Sequence, residues 1–535
     1  MKYKINILDL VLSLILALGF TCASRIHYTC WGENYVGDFG VSGIILAILV
    51  FIVMLFVIPR MHSVLDHVLE KLAILEKPTG FNAPRITLFA ILGVVLAYIP
   101  YYLSFYPGGI WFDTWLSIYY GENHIRSDRH PFFYNSFCLI VMKIGKLFGR
   151  DMNWVCGSLL FIQMLLLVLI VAYFFNWMVK YRLNRYIILF FYLICALLPI
   201  YPLYGVSVWK DTPFCIFMMF WVMSIYDLYY SLFCTENEIK KSSMLSNIVK
   251  FIIGSLGIAF LRNNGPYIVL SLILFFVLFF VVKKVSYRYS AILIILFLAI
   301  CFIRGPIYDF LKVERTPLTE KYGILLQQIC AVVVDEGNLT EEDEIRIDHI
   351  ISREKIKEAF SDVNVDGIKW NEDFQNEYFE NHEREFLELW WDVFKKNPSI
   401  CMKEYLIMTC YYWNPFVIVN DNYAFVQLYP TENSYNIERI DYFNTIAGFS
   451  FADIVTPKRG MNAGILIWFY LIISIYLMKK RGLKSFCITL PLILCWISIM
   501  AATPIGVGYR YVSPLFFCLF PMLAITIIER RNEIP

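Results

Sequence analysis

An aspartate inside an aromatic stretch, Tyr106-Pro-Gly-Gly-Ile-Trp-Phe-Asp-Thr-Trp115, offers the first chemistry in this chain. Asp113 stands among Trp111, Phe112 and Trp115, next to apolar spans. A poorly solvated carboxylate has a raised pKa, which brings it towards the value a general base needs. Pro107 ends the preceding helix, and Gly108-Gly109 permits close backbone approach to a ligand. Asp128 and His130 follow after a polar turn, and Pro131 suits the start of the next helix. Together with Asp211 they could orient an acceptor, or hold a divalent metal such as Mg2+ or Mn2+ with Asp113. The spacing leaves metal involvement open. Cations able to stabilise an anion are available in Lys210, Arg262 and Arg510, each beside a Gly or Pro turn. Asn263, Asn264 and Tyr511 are their immediate neighbours. The plainer reading of each charge is an interfacial side chain that snorkels to water.

The elements that position these residues are membrane spans. The chain is 59% hydrophobic and 17% charged, against about 25% charged in soluble proteins. Repeated apolar runs long enough for roughly 30 Å of hydrocarbon predict a mainly α, polytopic integral membrane protein. About twelve spans are expected. The first, 7–24, follows Lys2 and Lys4 and reads as an uncleaved span rather than a signal peptide. Lys/Arg clusters beside the spans, from Arg60 through Lys180–Arg185 and Lys479–Arg481 to Arg531, then all fall on one side. The positive-inside rule makes that side the cytoplasm, with both termini there. Asp113, His130, Lys210, Asp211, Arg262, Arg304 and Arg510 fall on the other side. Residues 131–149 read as an amphipathic helix lying on the outer surface, not a crossing.

The charge is unevenly divided. Residues 306–462 hold 28 acidic and 15 basic side chains, leaving 16 and 31 elsewhere. This predicts three parts: a transmembrane module, 1–305, with an outer catalytic loop at 105–153; an extracytoplasmic domain of mixed or helical structure, 306–462; and closing transmembrane helices, 463–535. In the acidic domain 341–360 and 375–396 read as amphipathic helices, the first starting at a Thr340 cap. Most of the 14 cysteines lie in apolar runs and behave as small hydrophobes. Cys330, Cys401 and Cys410 are placed where pairing is conceivable. No charge pattern suggests nucleic acid.

The pattern Pro107-Gly-Gly…Asp113…Asp128-x-His130-Pro131 resembles the first extracytoplasmic loop of the GT-C superfamily of membrane glycosyltransferases. Several pieces are similar, more closely, to a bacterial family known as domain of unknown function 6020. They are Lys210-Asp211 with Phe214, Phe260-x-Arg262-Asn-Asn-Gly265, Gln327-Gln328, Trp413-x-Pro415, and Arg510-Tyr511 with Pro514. The superfamily resemblance implies an acidic residue of this loop as catalytic base, an inverting reaction, and a donor sugar on a polyprenyl phosphate or diphosphate.

The expectation is thus a multi-pass enzyme of the bacterial cytoplasmic membrane. It would move a sugar from a polyprenyl-phosphate donor to a cell-envelope acceptor, whether glycan, lipid or protein. Asp113 is the base, with Asp128 and His130 as catalytic partners. Lys210, Asp211, Arg262, Asn263, Asn264, Arg510 and Tyr511 form the substrate site. Two alternatives are a polymerase or ligase of lipid-linked glycans and a transporter or flippase. The span middles, nearly free of charge and without visible repeats, speak against the last.

Overall fold

The computed structural model describes residues 6–29, 33–74, 83–233, 241–282, 287–419, 428–430, 435–457, 461–502, 505–506 and 508–531. The chain is mainly helical. Among the described residues the named strands form one antiparallel pair, Ile26–His27 with Tyr35–Val36. Among the described residues nine helices are long and apolar enough to cross a membrane, or ten if Arg185–Leu197 and Ile200–Val206, bent by 41°, make one crossing. The bend sits at Pro199. Leu198 before it is extended, the conformation that a following proline imposes. Twelve crossings are therefore not reached by length and apolarity. Ile7–Ala23 is short at 17 residues, and Gly464–Arg481 ends in Lys479, Lys480 and Arg481.

Charged side chains collect at the two ends of the helices. At one end Asp9 meets Lys479 at 2.8 Å, Asp66 meets Lys480 at 2.8 Å and Arg530 at 3.0 Å, and Asp227 meets Lys180 at 2.8 Å. These partners come from helix ends that the Lys/Arg pattern assigns to one side. Lys2, Lys4, Lys77, Lys240, Lys283 and Lys284, which share in that pattern, lie outside the described residues. The opposite end carries Asp113 and the other candidate site residues. Between the two ends lies a continuous apolar core that includes Trp177, Trp221, Tyr226 and Tyr470.

Helix Phe132–Leu147 has 16 residues and is not among the candidate spans. It departs from the amphipathic expectation. One face, with Tyr134, Cys138, Val141 and Met142, is buried, and the exposed face is also apolar, with Phe133, Phe137, Ile140 and Ile144. Its charge is confined to one edge, where Lys146 pairs with Glu122 at 2.9 Å.

A second apolar cluster runs from Leu326 to Met408 within the acidic stretch. Thr340 starts helix Glu341–Asp348 with a capping box to Asp343. The two long helices expected here are each broken. Ser352 opens Arg353–Ala359 by capping Lys355, and Glu383–Lys396 is separate from Asn376–Asn381. Cys330, Cys401 and Cys410 are buried free thiols.

Candidate functional site

Backbone contacts bring the site loops together. Gly109 N–H donates to the Val206 carbonyl at 2.8 Å, and Val208 N–H donates to the Gly109 carbonyl at 3.1 Å. Gly108 has a φ of +109°, and a Cβ there would meet Val208 Cγ2 at 2.6 Å. The glycine pair thus serves close approach to the protein's own 206–208 segment rather than to a ligand. The Thr114 hydroxyl donates to the Val208 carbonyl one turn further on. Helix Phe112–Glu122 starts here, with Asp113 in its first turn, where the helix dipole favours a carboxylate. Lys210 directly precedes helix Asp211–Phe233, so the same clamp sets it opposite Asp113.

The result is a cluster of four groups. Asp113 Oδ2 accepts from Lys210 Nζ at 2.6 Å and from Arg510 Nη1 at 3.0 Å. Lys210 Nζ also lies 2.7 Å from His130 Nδ1, which must then be the acceptor, leaving any ring proton on Nε2. Burial works to raise the Asp113 carboxyl, but the charges of Lys210 and Arg510 outweigh it. The carboxyl sits well below the usual range. This reverses the sequence expectation of a raised pKa. Burial, then the Lys210 ammonium, push the His130 imidazole down to about 3. His130 is therefore neutral at physiological pH and is not a proton reservoir there.

A second pair adjoins the first through Tyr511. Arg510 Nη2 donates to the Tyr511 hydroxyl at 3.1 Å. The Arg262 guanidinium lies 5.3 Å from the ring centres of both Tyr511 and Phe214. Its Nε is 3.1 Å from Asp211 Oδ1. Both Asp211 oxygens and Arg262 Nη1 are buried without a hydrogen bond among the described residues. Arg262 is held by a tight turn. A Cβ on Gly265 would lie 1.8 Å from the Ile258 carbonyl oxygen, so only glycine fits where the turn folds back on the preceding helix, Lys241–Leu261.

Asp128, Asn263 and Asn264 are parts of the frame. Asp128 pairs with Arg304 at 2.6 Å and accepts from Phe132 N–H at 3.1 Å, at the start of the next helix. Burial lifts its carboxyl above the usual value, against the pull of Arg304. Asn263 Nδ2 donates to the carbonyls of Asp128 and Arg129, at 2.9 and 3.0 Å. Asn264 Nδ2 donates to Ser498 Oγ at 2.8 Å. The charge of Arg304 was visible in the sequence at an outer span end. Its partnership with Asp128 was not. Nor was the Trp209 ring, 5.5 Å from the Arg510 guanidinium.

A divalent metal does not fit this arrangement. The Asp113 oxygen that would ligate it already faces two cations, and Asp128 is turned to Arg304. Among the described residues no three His, Cys, Asp or Glu side chains come together as ligands. What the cluster can do is meet an anion. Lys210, Arg510 and Arg262 converge on two carboxylates, and the neutral His130 holds the Lys210 ammonium in place.

A model of a family of unknown function, DUF6020, matches residues 122–534. That range includes Asp128, His130, Lys210, Asp211, Arg262, Asn263, Asn264, Arg510 and Tyr511, while Asp113 lies just before it. No curated protein matches the chain, and no solved structure does.

Proposed function

We propose that this chain, which belongs to the DUF6020 family, is a membrane glycosyltransferase that takes its sugar from a polyprenyl phosphate. The observation that carries the reading is the meeting of Lys210, Arg510 and Asp113 at one end of the apolar helices. Without donor, Asp113 balances both cations and is too acidic to be an efficient base. A donor phosphate would draw Lys210 and Arg510 to itself. The Asp113 carboxyl then loses its counter-charges, and its pKa rises towards a useful value.

In this reading Asp113 takes the proton of an acceptor hydroxyl. The acceptor oxygen attacks the anomeric carbon as the bond from that carbon to the phosphate oxygen breaks. The phosphate leaves with the electron pair, and Lys210 and Arg510 stabilise it. A single displacement of this kind inverts the anomeric centre. His130, neutral and accepting from Lys210, orients the ammonium. The apolar spans supply the surface for the polyprenyl tail.

Lys210→Met is expected to weaken binding of a polyprenyl-phosphate sugar by about 1.5–3 kcal/mol, the range for a lost charge-assisted contact. Binding to the full chain in lipid nanodiscs measures it. Unchanged affinity would leave Lys210 as a partner of Asp113 alone and remove the phosphate site.

The reading also needs the cluster on the outer side. A reporter fused after Arg185 should be cytoplasmic, and one inserted within 340–390 should be extracytoplasmic. The acidic stretch reporting from the cytoplasm would put Asp113 on the wrong face for an outward-facing donor.

A further inference from the structure

Beside the cation cluster, Arg129 is a basic side chain with no carboxylate partner among the described residues. It directly precedes His130. Its guanidinium carbon lies 3.9 Å from the ring centre of Trp370. That indole belongs to the acidic stretch and is 51% exposed. The Lys369 ammonium lies 5.5 Å from the same ring centre, so two cations stand against the indole and about half of the residue stays exposed.

Trp370 is held firmly for an exposed aromatic. It ends helix Asp366–Lys369, and its N–H donates to the Asp366 carbonyl at 3.0 Å. Lys369 is buried, 2.9 Å from Glu320 and 2.7 Å from Asp366. Glu320 lies in helix Leu318–Lys321. The segment before that helix is pinned to the site loop. Glu314 N–H donates to the Arg126 carbonyl and Asp128 N–H to the Glu314 carbonyl, both at 2.8 Å. The Thr316 hydroxyl donates to the Asp128 carbonyl at 2.9 Å. These contacts close a ring from the 126–130 loop, through 314–321 and Lys369, to Trp370 and back to Arg129. The indole therefore has a fixed place relative to the 126–130 loop.

An isolated exposed hydrophobe needs no explanation. This one differs in three respects: a buried lysine with two carboxylates anchors its base, a guanidinium with no side-chain hydrogen bond among the described residues stacks on it, and it adjoins the candidate catalytic loop. A half-exposed indole beside a fork of N–H donors suits a saccharide ring. The apolar C–H face of the sugar lies on the indole and its hydroxyls accept from the guanidinium. We propose that Trp370 and Arg129 form the acceptor subsite, and that the acceptor presents a sugar ring there. The assignment of an acceptor role rests on the glycosyltransferase reading; saccharide binding at Trp370 does not.

The test is therefore made on binding, without turnover. The probes are soluble maltotriose, mannotriose and triacetylchitotriose. The full chain in lipid nanodiscs is examined by saturation-transfer NMR, with affinity from titration. At least one probe should receive saturation from the parent. Trp370→Ala should weaken that binding about two- to tenfold, the range for losing one aromatic contact. Trp370→Phe should keep most of it, and Arg129→Ala should weaken it as well. Because Trp370 is exposed, the alanine variant should keep the fold, checked by an unchanged unfolding midpoint. No transfer of saturation from the parent to any probe, or equal affinity in Trp370→Ala, overturns the proposal. If the subsite binds sugar through Trp370 while Asp113→Asn retains full transferase activity, the subsite stands and the proposed mechanism falls.

Discussion

Asp113→Asn should abolish sugar transfer while leaving donor binding intact or stronger. Asparagine nearly matches aspartate in size and still accepts a hydrogen bond, so the helix start at Phe112 should survive. It cannot take a proton at useful pH. A positioned base contributes ~10²–10⁴-fold in rate, and the loss should be at least that large. Binding should move the other way. Asp113 faces Lys210 at 2.6 Å and Arg510 at 3.0 Å. Its neutral replacement leaves both cations unbalanced, which favours an incoming phosphate. A split between lost turnover and retained donor affinity separates a base from a residue that merely holds the fold. Asp128→Asn is the comparison with the same charge change. Its partners are Arg304 and the Phe132 N–H, so its effect should fall on stability, by about 1–3 kcal/mol. Transfer by Asp113→Asn at close to the parent rate would place the base elsewhere. An Asp128 variant that folds like the parent yet is inactive would move the assignment to Asp128.

The residues of this cluster could be singled out in the sequence because the expected topology puts them at the same ends of their spans. With the Lys/Arg clusters expected on one side, Asp113, Lys210, Arg262 and Arg510 are expected on the other. What could not be read is the sign of the shift at Asp113. Its sequence neighbours are aromatic and suggest a raised pKa. The groups that decide the matter, Lys210 and Arg510, stand 97 and 397 positions away. The same limit hid the partner of Gly108, since a glycine announces close approach without saying to what. Asn263 looked like a ligand group beside Arg262, yet its amide fastens the Asp128 loop, a contact across 135 positions. The span count suffered differently. Apolar runs mark where a crossing is possible, but Pro199 and the basic end of Gly464–Arg481 keep two of those runs from passing as single apolar helices.

Arg262→Ala should destabilise the protein by about 3–5 kcal/mol, more than a lost phosphate contact would suggest. The sequence places Arg262 as a donor-binding cation. The structure buries it against Asp211, with side-chain exposures of 8% and 2%. Neither Asp211 oxygen has a hydrogen bond to fall back on among the described residues. Removing the guanidinium would therefore strand a carboxylate in a poorly solvated site, and its desolvation cost would no longer be offset. The loss would also spread sideways. Arg262 lies over the Tyr511 ring, and the Tyr511 hydroxyl accepts from Arg510. Arg262 thus acts on the donor site through Tyr511 and Arg510, as a positioning residue. A double-mutant cycle tests this with unfolding midpoints in detergent. Arg262→Ala alone should be the costliest variant. Adding Asp211→Ala should recover part of the loss, because the stranded charge leaves with it. Strictly additive effects would mean that the two groups do not stabilise each other. Arg262 would then return to the role of an independent cation facing the donor, and its variant should lose phosphate affinity without losing stability.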